Sequence, residues 1–195
     1  MKCHLCETKS CSSGEACADF ESLELYQGNE EDLQLLKTAS DVEALYYCTL
    51  NRLEEIMEFA RRMGYTRLGI AFCVGFKEEA ALLGKILSEE FEVYSACCKV
   101  SSMKKADVDA TLRPWVGEVS CNPVEQARRL NEAGSQFNIV LGLCVGHDSL
   151  FYRHSKAPVT TFVVKDRVLG HNPVAVLYSQ YLRKNLKKRP EERLK

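Results

Sequence analysis

From about residue 66 the apolar residues of this chain gather in short unbroken runs, alternating with stretches where they recur every three or four positions. The runs Arg67–Cys73, Glu92–Cys98, Asn138–Cys144 and Thr160–Val164 have strand length and predict strands. The intervening patterns predict helices over Lys77–Ser88, Pro123–Ala133 and Pro173–Leu186. Strands separated by helices call for a parallel sheet with right-handed crossovers. The expected fold class is α/β: a three-layer Rossmann-like or flavodoxin-like sheet of about four or five strands. A strand order of 2-1-3-4 places the switch point, where such sheets bind their ligands, between the first and third strands.

Upstream the pattern is helical. One helix is expected around Glu30–Thr38. A longer one opens at Ser40, with Glu43 completing a capping box, and runs to Gly64. Its buried face is read as Val42, Leu45, Tyr46, Leu50, Leu53, Ile56, Met57 and Ala60, and Cys48 lies within the same pattern as a small buried hydrophobe. Residues 1–20 are polar and cysteine-dense, with too little apolar material to hold a shape without a cross-link or metal. The chain therefore divides into a cysteine-rich metal-binding segment (1–20), a helical lead-in packing on the main domain (21–65), an α/β domain (66–186) and a basic tail (187–195).

Composition narrows the function classes. With 195 residues, 46% of them hydrophobic and 27% charged, the chain resembles an ordinary globular domain, and its formal net charge of −1 gives no reason to expect nucleic acid or an anionic membrane as partner. No apolar signal region follows Met1, and no run approaches the roughly 20 apolar residues of a membrane span. The expected location is the cytoplasm. There, ten cysteines point to metal binding, redox chemistry or catalysis rather than a disulfide framework.

Four of the ten, Cys3, Cys6, Cys11 and Cys17, lie close together, with two, four and five residues between successive members. Thiolates this near in sequence can surround one ion or cluster at small loop-closure cost. Cysteine-only ligation suits iron–sulfur clusters and zinc alike. The spacing is similar to a zinc knuckle with Cys11 in the histidine place. The segment nevertheless has no aromatic before Phe20 to stack on a base, which argues against RNA.

The second group lies at the expected carboxyl edge of the sheet. Cys-Val-Gly occurs twice, as Cys73-Val74-Gly75 and Cys144-Val145-Gly146, each closing a strand-like run. A thiol beside a helix N-terminus has its anion favoured, as nucleophile or as ligand. Cys97 and Cys98 end the second strand on opposite faces, and Cys98 is assigned to the site. Cys121-Asn122-Pro123-Val124 and His171-Asn172-Pro173-Val174 match at every position except the first. Asn is there the natural cap and Pro the first helical residue, so Cys121 and His171 become candidate ligands. His147 can serve as acid/base or ligand beside Asp148. Lys165-Asp166-Arg167 is placed to meet an anion, or is simply a polar loop. Glycine fingerprints for nucleotides are absent.

These blocks resemble a family of small, cysteine-rich bacterial and archaeal proteins of unknown function, often labelled predicted metal-binding proteins. The resemblance rests on the N-terminal cysteines, Gly69–Gly75, Cys97-Cys98-Lys99, Cys121–Pro123, Gly142–Asp148, Ala157–Thr160 and Lys165–Pro173. It implies metal binding and carries no activity. The sequence thus leads to an intracellular metal-binding protein, iron–sulfur first and zinc second. Its expected ligands are Cys3, Cys6, Cys11, Cys17, Cys73, Cys98, Cys121, Cys144 and His171, and its partner is a small molecule or redox protein. The alternatives are a metal-free enzyme with Cys73 or Cys144 as nucleophile and His147 as base, and a scaffold whose N-terminus zinc merely folds.

Overall fold

Four parallel strands, β1 (Arg67–Phe72), β2 (Glu92–Cys97), β3 (Phe137–Leu143) and β4 (Val159–Val164), form one sheet in the order β2-β1-β3-β4. The structure is a computed structural model that describes residues 2–16 and 22–193. The chain divides into two compact units, Met1–Tyr47 and Cys48–Lys195, and the sheet belongs to the second. Both the α/β class and the strand order expected from the sequence are observed.

The unbroken apolar runs have a direct cause. Every residue of β3 is buried, as are Leu68, Gly69, Ile70 and Ala71 of β1. Helices cover both faces of the two central strands, so no position needs to be polar. Helix α3 (Lys77–Leu87) lies on one face, with Gly84 opposite Ile70 of β1. The preceding residue, Gly69, points instead toward Leu130 of α4 (Pro123–Glu132) on the other face, where α5 (His147–His154) packs beside α4. Three layers result, as strand alternation requires.

Two glycines are fixed by this packing. A Cβ on Gly69 would stand 2.0 Å from Oδ1 of Asn138, a fully buried side chain that bonds Ser135 and Ser155. Gly142 has φ +67°, and its missing Cβ leaves room for the ring of Phe76. The β3–β4 register shifts on either side of Leu141. A bulge of this kind re-aims the residues that follow it, here Leu143 and Cys144.

The helix boundaries depart from expectation in two places. In the first unit α1 (Glu30–Tyr46), capped by Asn29, runs straight through Ser40, whose hydroxyl bonds the Leu36 carbonyl. In the second unit α2 (Arg52–Arg62) starts from Asn51, with Glu54 closing the capping box. Between them Cys48 is exposed at φ +56°, so it is not a buried residue of a continuous helix. Near the C-terminus the single expected helix is two short ones, α6 (Ala175–Tyr178) and α7 (Gln180–Asn185), because Ser179 turns extended and caps the second.

Candidate thiolate site

Three of the sheet-edge cysteines follow strands directly. The N–H of Cys73, one residue past β1, bonds the Leu141 carbonyl, and that of Cys98, one past β2, bonds the Phe72 carbonyl. Cys144 follows the last residue of β3. The fourth, Cys121, arrives from the long loop before α4. The Asn122 N–H bonds the Cys98 carbonyl at 2.8 Å, while the Asn122 side chain caps α4 through Glu125 N–H and bonds Ser101. The first copy of the Asn-Pro echo thus caps a helix and delivers its cysteine to the sheet edge.

The side chains form a sequence of neighbours: Cys144 beside Cys73, Cys73 beside Cys98, Cys98 beside Cys121, Cys121 beside His147. Cys73 and Cys98 are buried, whereas Cys121 and Cys144 are half-buried. The well-formed hydrogen bonds reaching these sulfurs come from outside the set. Val74 N–H donates to Cys98 Sγ at 3.3 Å, and Arg167 Nη2 to Cys144 Sγ at 3.2 Å. Among the described residues no three His, Cys, Asp or Glu side chains stand as the ligands of a single metal ion do.

Ionisation alternates along the row. The neighbouring thiols of Cys144 and then Cys98 hold Cys73 far below the usual thiol range, helped by Gly75 N–H and the charge of Lys165. Cys98, neighbour to both Cys121 and Cys73 and buried, is pushed far up. Cys121 is lowered by Cys98 and then by His147, whose own value rises in return. Cys144 is raised, chiefly by Cys73 and burial. The favoured state is therefore two thiolates, Cys73 and Cys121, separated by a protonated Cys98.

Three cations attend these thiolates. Lys165 Nζ lies 4.2 Å from the centroid of the Phe76 ring, Arg167 touches Cys144, and Lys99 Nζ donates to the Val119 carbonyl. Among the described residues none of the three has a carboxylate within ion-pair distance, whereas Arg61, Arg62, Arg128 and Arg129 are all paired. Asp166 is occupied with its own loop, accepting the N–H groups of Val168 and Leu169.

The remaining candidates lie elsewhere. His171 (φ +66°) packs its ring 4.7 Å from that of Phe76, and its Nδ1 accepts the Asp166 N–H, so this nitrogen already has a partner. Asp148 accepts the N–H of Ser149. Cys97 packs against the core. In the first unit Cys3, Cys6 and Cys11 are exposed, and Cys6 Sγ accepts the Lys9 N–H, which lowers its pKa; Cys17 lies outside the described residues.

Sequence reasoning missed Gln126. Its amide is fully buried and donates to the carbonyls of both Phe72 and Ala96, tying the ends of β1 and β2 where Cys73 and Cys98 emerge. A glutamine inside an apolar helix face was the available signal.

With this geometry in view, the chain can be placed among known proteins. Residues 10–162 match the family described as a protein of unknown function, DUF1847, and the chain belongs to that family. An uncharacterized protein of Methanocaldococcus jannaschii, MJ0455, is 48% identical to it over 191 residues, covering 95% of this chain and 98% of the relative. No solved structure matches. No described helix is long and apolar enough to cross a membrane.

Proposed function

We propose that this protein is a metal-binding protein whose working centre is an iron–sulfur cluster held by Cys73, Cys98, Cys121 and Cys144 at the carboxyl edge of the sheet, where it serves redox or sulfur chemistry. The observation that carries this reading is the gathering of four thiols from four chain segments at the switch point, amid cations that have no carboxylate partner. The donor set fits: all-sulfur ligation suits clusters, and thiolates are the ligating form.

Such a centre supplies electron transfer when all four thiolates are bound, and would supply a Lewis-acidic iron only with one of the four left unligated. The residues of the chain have separable tasks. Lys165 and the Gly75 N–H stabilise the Cys73 thiolate, and Arg167 does the same for the sulfur of Cys144. Cys98 and Cys144 hold the protons that ligation would release, so uptake strengthens as pH rises.

A second reading, the metal-free thiol enzyme, is favoured by one observation. His147 neighbours Cys121, an imidazole–thiolate pairing of the kind that activates cysteine nucleophiles. It makes Cys121, rather than Cys73 or Cys144, the nucleophile served by the imidazole. Anaerobic purification followed by iron, sulfide and zinc analysis decides between the two. The cluster reading expects a coloured protein with iron and sulfide in matching amounts; colourless protein lacking both after reconstitution overturns it.

A further inference from the structure

The cations at the sheet edge define a second property of this site. Fixed charges that lack acidic partners are left to act on whatever enters. Arg167 is exposed, and a single contact, on Cys144 Sγ, occupies one nitrogen of its planar fork. Lys165 reaches over Gly75, where a Cβ would stand 3.3 Å from its Nζ. The loop that carries both is braced by Asp166, through the N–H groups of Val168 and Leu169, and by His171 Nδ1.

We propose that the ligand brought to the thiol row is a small carboxylate, clamped by Arg167 and Lys165 beside the sulfur of Cys144. The guanidinium fork matches a carboxylate's two oxygens. The fork matches phosphate as well, but the sequence has no glycine-rich fingerprint for a nucleotide's phosphates, which leaves a small carboxylate as the simpler ligand. The proposal rests on the sheet edge being the working site, and it is independent of whether metal occupies that site.

The test uses two nearly isosteric alkylating reagents, iodoacetate and neutral iodoacetamide, on the full-length chain, reduced and treated with a chelator. Each cysteine is mapped by mass spectrometry. Both reagents attack the same thiolate, so the ratio of their rates at one cysteine cancels its ionised fraction and reads the local preference for a carboxylate. Exposed Cys48 supplies the internal reference. The ratio at Cys144 and Cys73 is expected to exceed that at Cys48 by about tenfold at low ionic strength. It should collapse toward the reference in Arg167→Gln and Lys165→Gln, and in concentrated salt. A ratio equal to that of Cys48, or one unchanged in both variants, overturns the proposal. Metal content is read separately: a chain that lacks iron yet keeps the ratio refutes the cluster and leaves the carboxylate clamp standing.

Discussion

At the scale of single residues, the site is governed by which sulfurs are charged. The thiolates of Cys73 and Cys121 are favoured by different means, the first by neighbouring thiols and Lys165, the second by Cys98 and the imidazole of His147. A lowered thiol pKa keeps the nucleophilic form present as pH falls, whereas an ordinary thiol, with a pKa of about 8.5, is almost wholly protonated at pH 6. In the metal-free protein Cys121 should therefore keep labelling with iodoacetamide when the pH is lowered to 6. His147→Ala removes a partner that lowers the Cys121 pKa, so the midpoint of the Cys121 labelling rate against pH, at about 4 in the parent, should move up. An unchanged midpoint would show that His147 does not act on Cys121. The candidate thiols themselves were legible in the sequence, because strand ends and a capping Asn-Pro place them. Their partners were not. That Cys98 and Cys121 adjoin depends on one hydrogen bond, from Asn122 N–H to the Cys98 carbonyl, made across a long loop. That His147 serves Cys121 depends on how α5 leaves β3.

At the scale of elements, caps and a bulge set the site's dimensions. Asn122 caps α4 and ties it to the end of β2, so Asn122→Ala should cost about 1 kcal/mol. The denaturant midpoint measures that cost, and a shift in the Cys121 labelling rate shows whether the thiol moves with its anchor. Gly142 is the more severe test. An alanine there would hold φ near +67° at a cost of ~1–2 kcal/mol. Its Cβ, 2.1 Å from Phe76 Cε2, would add ~1–3 kcal/mol of overpacking. The same ring supports Lys165 and His171. Gly142→Ala should thus lower the unfolding midpoint and disturb the sheet edge together; an unchanged midpoint would contradict the packing described. Helix boundaries were harder to read than strands for a physical reason. Ser40–Glu43 and Asn51–Glu54 both carry a capping pattern, and periodicity cannot say which one wins. The left-handed turn at Cys48 settles it.

At the scale of the molecule, a buried parallel sheet displays its strands as apolar runs, which made the fold class readable. Loop chemistry is less so. Lys165-Asp166-Arg167 reads as any polar loop until folding directs Arg167 onto Cys144. The chain also carries two separate cysteine groups, one in each compact unit, and the central claim concerns only the second. Iron and sulfide analysis of two variants purified anaerobically tests it most directly. One replaces Cys3, Cys6, Cys11 and Cys17 with serine. The other is the double variant Cys121→Ser and Cys144→Ser, whose half-buried positions spare the core. The account predicts that the first keeps a sheet-edge centre, with iron and sulfide still in matching amounts, and that the second, still folded by circular dichroism, loses it. Full iron and sulfide in the second variant, or none in the first, would contradict it.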